Sequence, residues 1–135
     1  MREKTVPTDT GEITALTDWV DEFLDEAGCP LKEKIRINVA LDEVFSNIVK
    51  YAYDDGDGTA LVRLELEEDP KAVIITFSDS GKPYNPLDMP EPDVTRSAKQ
   101  RKPGGLGIFL VKKTMDGLDY ERRDGKNVLK IRKYI

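Results

Sequence analysis

The chain has 135 residues, 39% of them hydrophobic, which suits one compact core and leaves no room for a second domain. Its formal net charge of -5 argues against a broad surface for the phosphate backbone, so direct nucleic-acid binding is not expected. Histidine is absent and Cys29 is the only cysteine, which removes imidazole chemistry, an internal disulfide and a multi-thiolate metal site from this chain acting alone. The opening Met1-Arg2-Glu3-Lys4-Thr5-Val6-Pro7 has no apolar run behind its charges, and runs such as Ala72-Val73-Ile74-Ile75 are too short to span a bilayer. A soluble, cytoplasmic protein without membrane contact is expected.

After a short extended segment, Asp9-Thr10-Gly11-Glu12 has capping-box spacing, and Ile13, Leu16, Val20, Phe23, Leu24 and Ala27 recur at helical intervals up to Gly28. Pro30 suits the start of a second helix, long and largely buried, with an apolar stripe through Leu31, Ile35, Val39, Leu41, Phe45, Ile48, Val49 and Ala52 up to the turn at Asp54-Asp55-Gly56. The period then changes: Leu64 and Leu66 alternate with Arg63, Glu65 and Glu67 as in a strand with one wet face. Beyond the turn Glu68-Asp69-Pro70-Lys71, a more apolar strand places Val73, Ile75 and Phe77 on the same face as Asp79. Residues 87–103 carry three prolines and the cations Arg96, Lys99, Arg101 and Lys102 without apolar periodicity, and a stretch of this kind reads as a functional lid. A short helix through Ile108, Phe109, Val111 and Lys112 follows and is stopped by Gly117. Asp124-Gly125 joins two final strands, with Leu129, Ile131 and Ile135 alternating on the return. Helices followed mainly by antiparallel strands predict an α+β fold of two layers, helices covering one face of a mixed, mostly antiparallel sheet.

Three segments carry chemistry. In Glu43-Val44-Phe45-Ser46-Asn47 the acid and the amide are four residues apart and share a helix face, where an amide oxygen can ligate Mg²⁺ and a carboxylate can take a proton from a hydroxyl or a water. Asp79-Ser80-Gly81-Lys82-Pro83 puts a carboxylate at a strand end, able to accept from an exocyclic amine, with a glycine that lets a flat base come close. Gly104-Gly105-Leu106-Gly107 runs directly into a helix, whose first amides form an anion site. Each also has an ordinary reading, as a solvated Glu/Asn pair, a strand-to-loop turn and a flexible hinge. Their order, with base, metal and phosphates all provided for, favours one nucleotide site.

These segments resemble the N, G1 and G2 boxes of the GHKL (Bergerat-fold) ATPases, over about Leu31 to the C-terminus. Asp79-Ser80-Gly81-Lys82-Pro83-Tyr84-Asn85-Pro86, Gly104 to Asp116 and Tyr120 to Asn127 look like the anti-sigma-factor serine/threonine kinases in particular. The resemblance implies ATP and Mg²⁺ as ligands, Glu43 as the base, Asn47 on the metal, Asp79 with Gly81 and Pro83 at adenine, and Gly104, Gly105, Leu106 and Gly107 at the phosphates. One or more of Lys99, Arg101 and Lys102 would reach the γ-phosphate, with no motif singling one out. It further implies an anti-anti-sigma (STAS) protein as phosphate acceptor, a sigma factor as second partner, and a homodimer. A nucleotide-dependent binding module without kinase activity is the alternative. Two positions depart from the pattern: Tyr51 stands where many relatives carry His, and Gly125-Lys126-Asn127-Val128 lacks the Thr that often helps bind adenine.

Overall fold

The computed structural model describes residues 1–54, 58–88 and 105–135. The opening segment is a strand, β1 (Arg2–Pro7), paired antiparallel with β2 (Thr59–Glu67). In β2, Ala60, Val62 and Leu64 are buried while the residues between them face outward, which is the period of a strand with one wet side. β3 (Ala72–Asp79) is buried along almost its whole length because it has neighbours on both edges. β4 (Gly117–Arg123) and β5 (Lys126–Tyr134) form the closing hairpin, and the strand order is β1-β2-β3-β5-β4 with each neighbouring pair antiparallel. Gly117 therefore opens a strand; the preceding helix has already ended at Thr114.

Two helices, α1 (Ile13–Glu26) and α2 (Leu31–Tyr51), and a shorter α3 (Gly105–Thr114) pack on one face of the sheet. Leu16, Val20, Phe23 and Leu24 of α1 meet Val44, Phe45 and Ile48 of α2 over Val62, Leu64, Ile75 and Phe77 of the sheet. The opposite face carries Arg63, Glu65, Thr76, Ser78, Glu121 and Lys130 and stays polar. Among the described residues, no helix is long and apolar enough to cross a membrane.

Two sequence expectations change in detail. Asp9 caps a 3-10 turn, Thr10–Glu12, by accepting from Gly11 N at 3.0 Å, and Glu12 makes no reciprocal side-chain bond; α1 grows out of that turn without a full capping box. The apolar stripe of α2 also divides. Leu31, Ile35 and Val39 are 71%, 54% and 43% exposed, whereas Ile37, Ala40, Leu41, Val44, Phe45 and Ile48 are buried. At about 100° per residue, positions 31, 35 and 39 cluster on the side opposite the buried set, so only the latter faces the sheet.

The C-terminal strand is tied to the helical layer by Lys133, a buried lysine whose Nζ lies 2.9 Å from Asp116 Oδ2 and 3.4 Å from Glu33 Oε2. Tyr134 N also donates to Asp116 Oδ2, at 2.8 Å. Burial pushes the Asp116 carboxyl upward, but the bonds from Lys133 and Tyr134 outweigh it and hold the group below its ordinary 3.8. Because the folded carboxyl titrates below the unfolded one, its stabilisation is complete above the unfolded value and is lost as pH falls through the folded one. Urea denaturation at a series of acidic pH values should show a steeper loss of stability for the wild type than for Asp116→Asn, which is less stable near neutral pH.

Candidate functional site

Asp79 ends β3 on the core face and is only 4% exposed. Its Oδ1 accepts from Gly81 N at 2.9 Å and from Asn127 Nδ2 at 3.0 Å. Among the described residues none donates to Oδ2, which leaves that oxygen for a ligand's N–H. Asn127 stands opposite Asp79 in the β3–β5 register. Its amide uses all its capacity: Nδ2 also donates to Lys82 O at 2.8 Å, and Oδ1 accepts from Tyr84 N at 3.2 Å and from the Tyr120 hydroxyl at 2.5 Å. The turn after β3 is further pinned by Lys82 N on Ala52 O at 2.8 Å and by Arg122 Nη1 on Gly81 O at 2.7 Å. Pro83 is an exposed member of this turn.

Above the carboxylate lies a narrow cleft with about 10 Å³ of free space, lined by Val44, Ile48, Phe77, Tyr84, Pro86 and Leu129, with Asp79 and Asn127 among its few polar groups. An apolar slot with a few fixed polar groups suits, by the character of its lining, a flat heteroaromatic ring with an exocyclic amine. Asn47, from α2, is 3% exposed and its Nδ2 has no hydrogen-bond partner among the described residues. Oxygen and nitrogen of such an amide are interchangeable by a flip, so Asn47 is a buried polar group in want of a ligand. One turn earlier Glu43 is half-buried, and burial first, then repulsion from Asp42, push its carboxyl up, with Lys50 opposing.

The start of α3 meets this pair. A Cβ at Gly107 would lie 1.8 Å from Glu43 Oε2, so the glycine is what allows the carboxylate to sit against the helix start. Gly105 begins the same helix, whose first amides lack intrahelical partners and offer donors to an anion. Leu106 belongs to that first turn, and its side chain lies outside the described set, as do Lys102 and Gly104. Lys99, Arg101 and most of the expected lid, residues 89–103, fall outside the described residues as well. Leu87 and Asp88 form the end of a 3-10 turn, and Lys112 Nζ of α3 donates to Leu87 O at 2.8 Å.

The structure thus brings Glu43 against Gly107, with Asn47 one helical turn along, and brings Asp79, Gly81 and Asn127 together at the end of β3. It also gives Gly81 a requirement that the sequence did not show. A Cβ there would stand 2.1 Å from Ala52 O, so the glycine is needed for the turn to close on the end of α2, quite apart from any ligand. Asn127 entered the sequence reading only as part of the closing segment Tyr120 to Asn127 and of the stretch Gly125-Lys126-Asn127-Val128 that lacks the expected Thr. Its role depends on the cross-strand register, and the one sequence signal that could have revealed it is the Asp124-Gly125 turn, which fixes where β5 begins.

A two-layer α+β domain with an apolar cleft floored by a carboxylate, an acid and amide on the covering helix, and a glycine-rich helix start is a nucleotide-binding domain. The chain belongs to the histidine kinase-like ATPase domain family, whose model it matches over residues 6–133. It is 31% identical over 129 residues to the serine/threonine-protein kinase BtrW of Bordetella bronchiseptica, with 90% of each chain covered. It is 28% identical over 137 residues to the serine-protein kinase RsbW of Halalkalibacterium halodurans, covering 98% of this chain and 82% of that one. Among solved structures, a chain of the SiaB–SiaC complex from Pseudomonas aeruginosa shares the fold with a TM-score of 0.62 at 16% identity, over 100% of this chain and 90% of that one.

The two glycines should respond differently to alanine. Gly81→Ala sets a methyl against a backbone carbonyl and should cost about 1–3 kcal/mol in urea denaturation. Gly107→Ala meets the end of a flexible side chain, so stability should change little while Glu43 is pushed into solvent. NMR titration of the Glu43 carboxyl should then return its pKa toward the ordinary 4.5.

Proposed function

We propose that this chain is a protein serine/threonine kinase that moves the γ-phosphoryl group of ATP to a hydroxyl of a partner protein. The observation that carries the reading is the seating of the Glu43 carboxylate against the Gly107 helix start, with Asn47 one turn away and the Asp79 cleft beyond. Adenine's exocyclic amine would donate to Asp79, and the phosphates would run toward the amides of α3. Glu43 would take the proton from the attacking hydroxyl. The new oxygen–phosphorus bond would form as the bond to the β-phosphate breaks, and ADP would leave. The raised pKa of Glu43 makes it a stronger base than a surface carboxylate. Asn47 is the group for Mg²⁺: its buried, unpartnered amide fits a cation that takes few protein ligands and shares the rest with phosphates and water. When bound, the ion would neutralise charge on the phosphate oxygens.

The similarity to serine-protein kinases supports the acceptor as a protein hydroxyl. The motif resemblance supports a STAS-type anti-anti-sigma protein as that acceptor, a sigma factor as competing partner, and a homodimer acting in the cytoplasm. We take the chain as one domain of 135 residues, with residues 87–103 as its ATP lid and Lys102 as a candidate γ-phosphate contact.

Incubation of the protein with Mg²⁺-ATP and a STAS-domain protein should give an acid-stable phosphoserine or phosphothreonine. Glu43→Gln should still bind ATP but transfer about 10²–10⁴-fold more slowly, and Asp79→Asn should lose binding. ATP binding without any Glu43-dependent transfer would leave a nucleotide-sensing binding module. Because the base works only when deprotonated, transfer should fall as pH drops through a midpoint above the ordinary 4.5. Asp42→Asn removes a repelling neighbour, so it should shift that midpoint downward in the pH–rate profile.

A further inference from the structure

Tyr84 presents the most conspicuous unmet demand in the site. Its backbone N is fixed by Asn127 Oδ1, and its ring rests against Tyr51 with centroids 5.1 Å apart. The side chain lines the same cleft as Asp79 and Asn127. The hydroxyl is buried and has no hydrogen-bond partner among the described residues. A phenol held in this way is a costly arrangement in the empty protein, since a buried O–H prefers an acceptor and a phenylalanine would fill the same space without the penalty.

The hydroxyl's surroundings say what it wants. Burial first, and then the proximity of Tyr51, Asp79 and Glu43, push its ionisation far above the ordinary 10, so it remains a donor throughout the usable pH range. The two carboxylates that act on it bound opposite ends of the site: Asp79 is where the base would sit, and Glu43 faces the phosphate end. A donor that lines the cleft beside Asp79, within electrostatic reach of Glu43, borders the path from the base toward the phosphate end. The part of a nucleotide that spans such a path is the ribose and α-phosphate, and both are rich in oxygen acceptors.

We propose that Tyr84 is a nucleotide-binding residue whose hydroxyl donates a hydrogen bond to an oxygen of the ribose–α-phosphate portion of ATP. The assignment rests on the nucleotide reading of the cleft and adds a contact to it. The hydroxyl then serves the bound state at the expense of the empty one. Tyr84→Phe should therefore have two opposite effects: the ligand-free protein becomes more stable, and affinity for the nucleotide falls. A tyrosine hydroxyl with a purely structural role would do the reverse in the first measurement.

The test is thermal denaturation of ligand-free wild type and Tyr84→Phe, together with isothermal titration of both with Mg²⁺-ATP, ADP, AMP and adenosine. The ring is conserved in size and shape, so the variant should fold. The expected result is a higher Tm without ligand and an ATP affinity lower by about 5- to 20-fold. A penalty already present with adenosine assigns the acceptor to ribose, and one that first appears with AMP assigns it to the α-phosphate; each supports the proposal. Equal ATP affinity in the two proteins overturns it, as does tighter binding by the variant. Failure of the wild type to bind any of the four would instead sink the nucleotide reading itself.

Discussion

The geometry of the site depends on a carboxyl group buried at the end of the central strand. Asp79 can occupy that position because donors reach it there: Gly81 N from the following turn and Asn127 Nδ2 from the neighbouring strand. Asn127 is in turn saturated, with two donors and two acceptors engaged across the β3 end, the turn and β4. A fully satisfied buried amide can hold several elements in one arrangement, because any shift leaves a polar group unpaired in a poorly hydrated place. The cleft floor is therefore a consequence of strand register: a slip of one residue would move Asn127 to the wet face of the sheet.

That register also explains how a helix and a strand that are distant in sequence share one site. β3 delivers Asp79 at its end, and α2 crosses the same face of the sheet with Val44, Phe45 and Ile48 buried against it. Once those side chains face the core, Asn47 must lie at the edge of the buried face and Glu43 nearer the rim. Their burial follows this order, with Asn47 almost fully enclosed and Glu43 half-exposed. The gradient suits their assigned roles, since an enclosed neutral amide can hold a ligand at modest desolvation cost, while a base must be reached by an outside hydroxyl.

Much of this was legible in the sequence where the signal was local. The change from helical to alternating period located β2, and the shared face of Val73, Ile75, Phe77 and Asp79 placed the carboxylate correctly against the core. The reading of α2 failed at Leu31, Ile35 and Val39 for a geometric reason: apolar residues can outline a stripe in a linear count even when the helix turns them to the opposite side. The requirements at Gly81 and Gly107 could not be read either. Each is set by an atom far away in sequence, Ala52 O in one case and Glu43 Oε2 in the other, and only the packed structure supplies the distance. Asn127 and Tyr84 were illegible for the same reason, because one depends on register and the other on what its hydroxyl fails to meet.

The contact between Glu43 and Gly107 links two properties that would otherwise look separate. The approach of α3 removes water from the carboxylate, and loss of water is the first cause of its raised pKa. The same approach brings the carboxylate close to a helix start, whose amides favour negative charge. A nucleotide phosphate placed there would add negative charge beside Glu43 and disfavour its ionised form further, strengthening the base at the moment an acceptor hydroxyl arrives. Basicity at this site is accordingly a property of the docked α2–α3 pair together with its ligand.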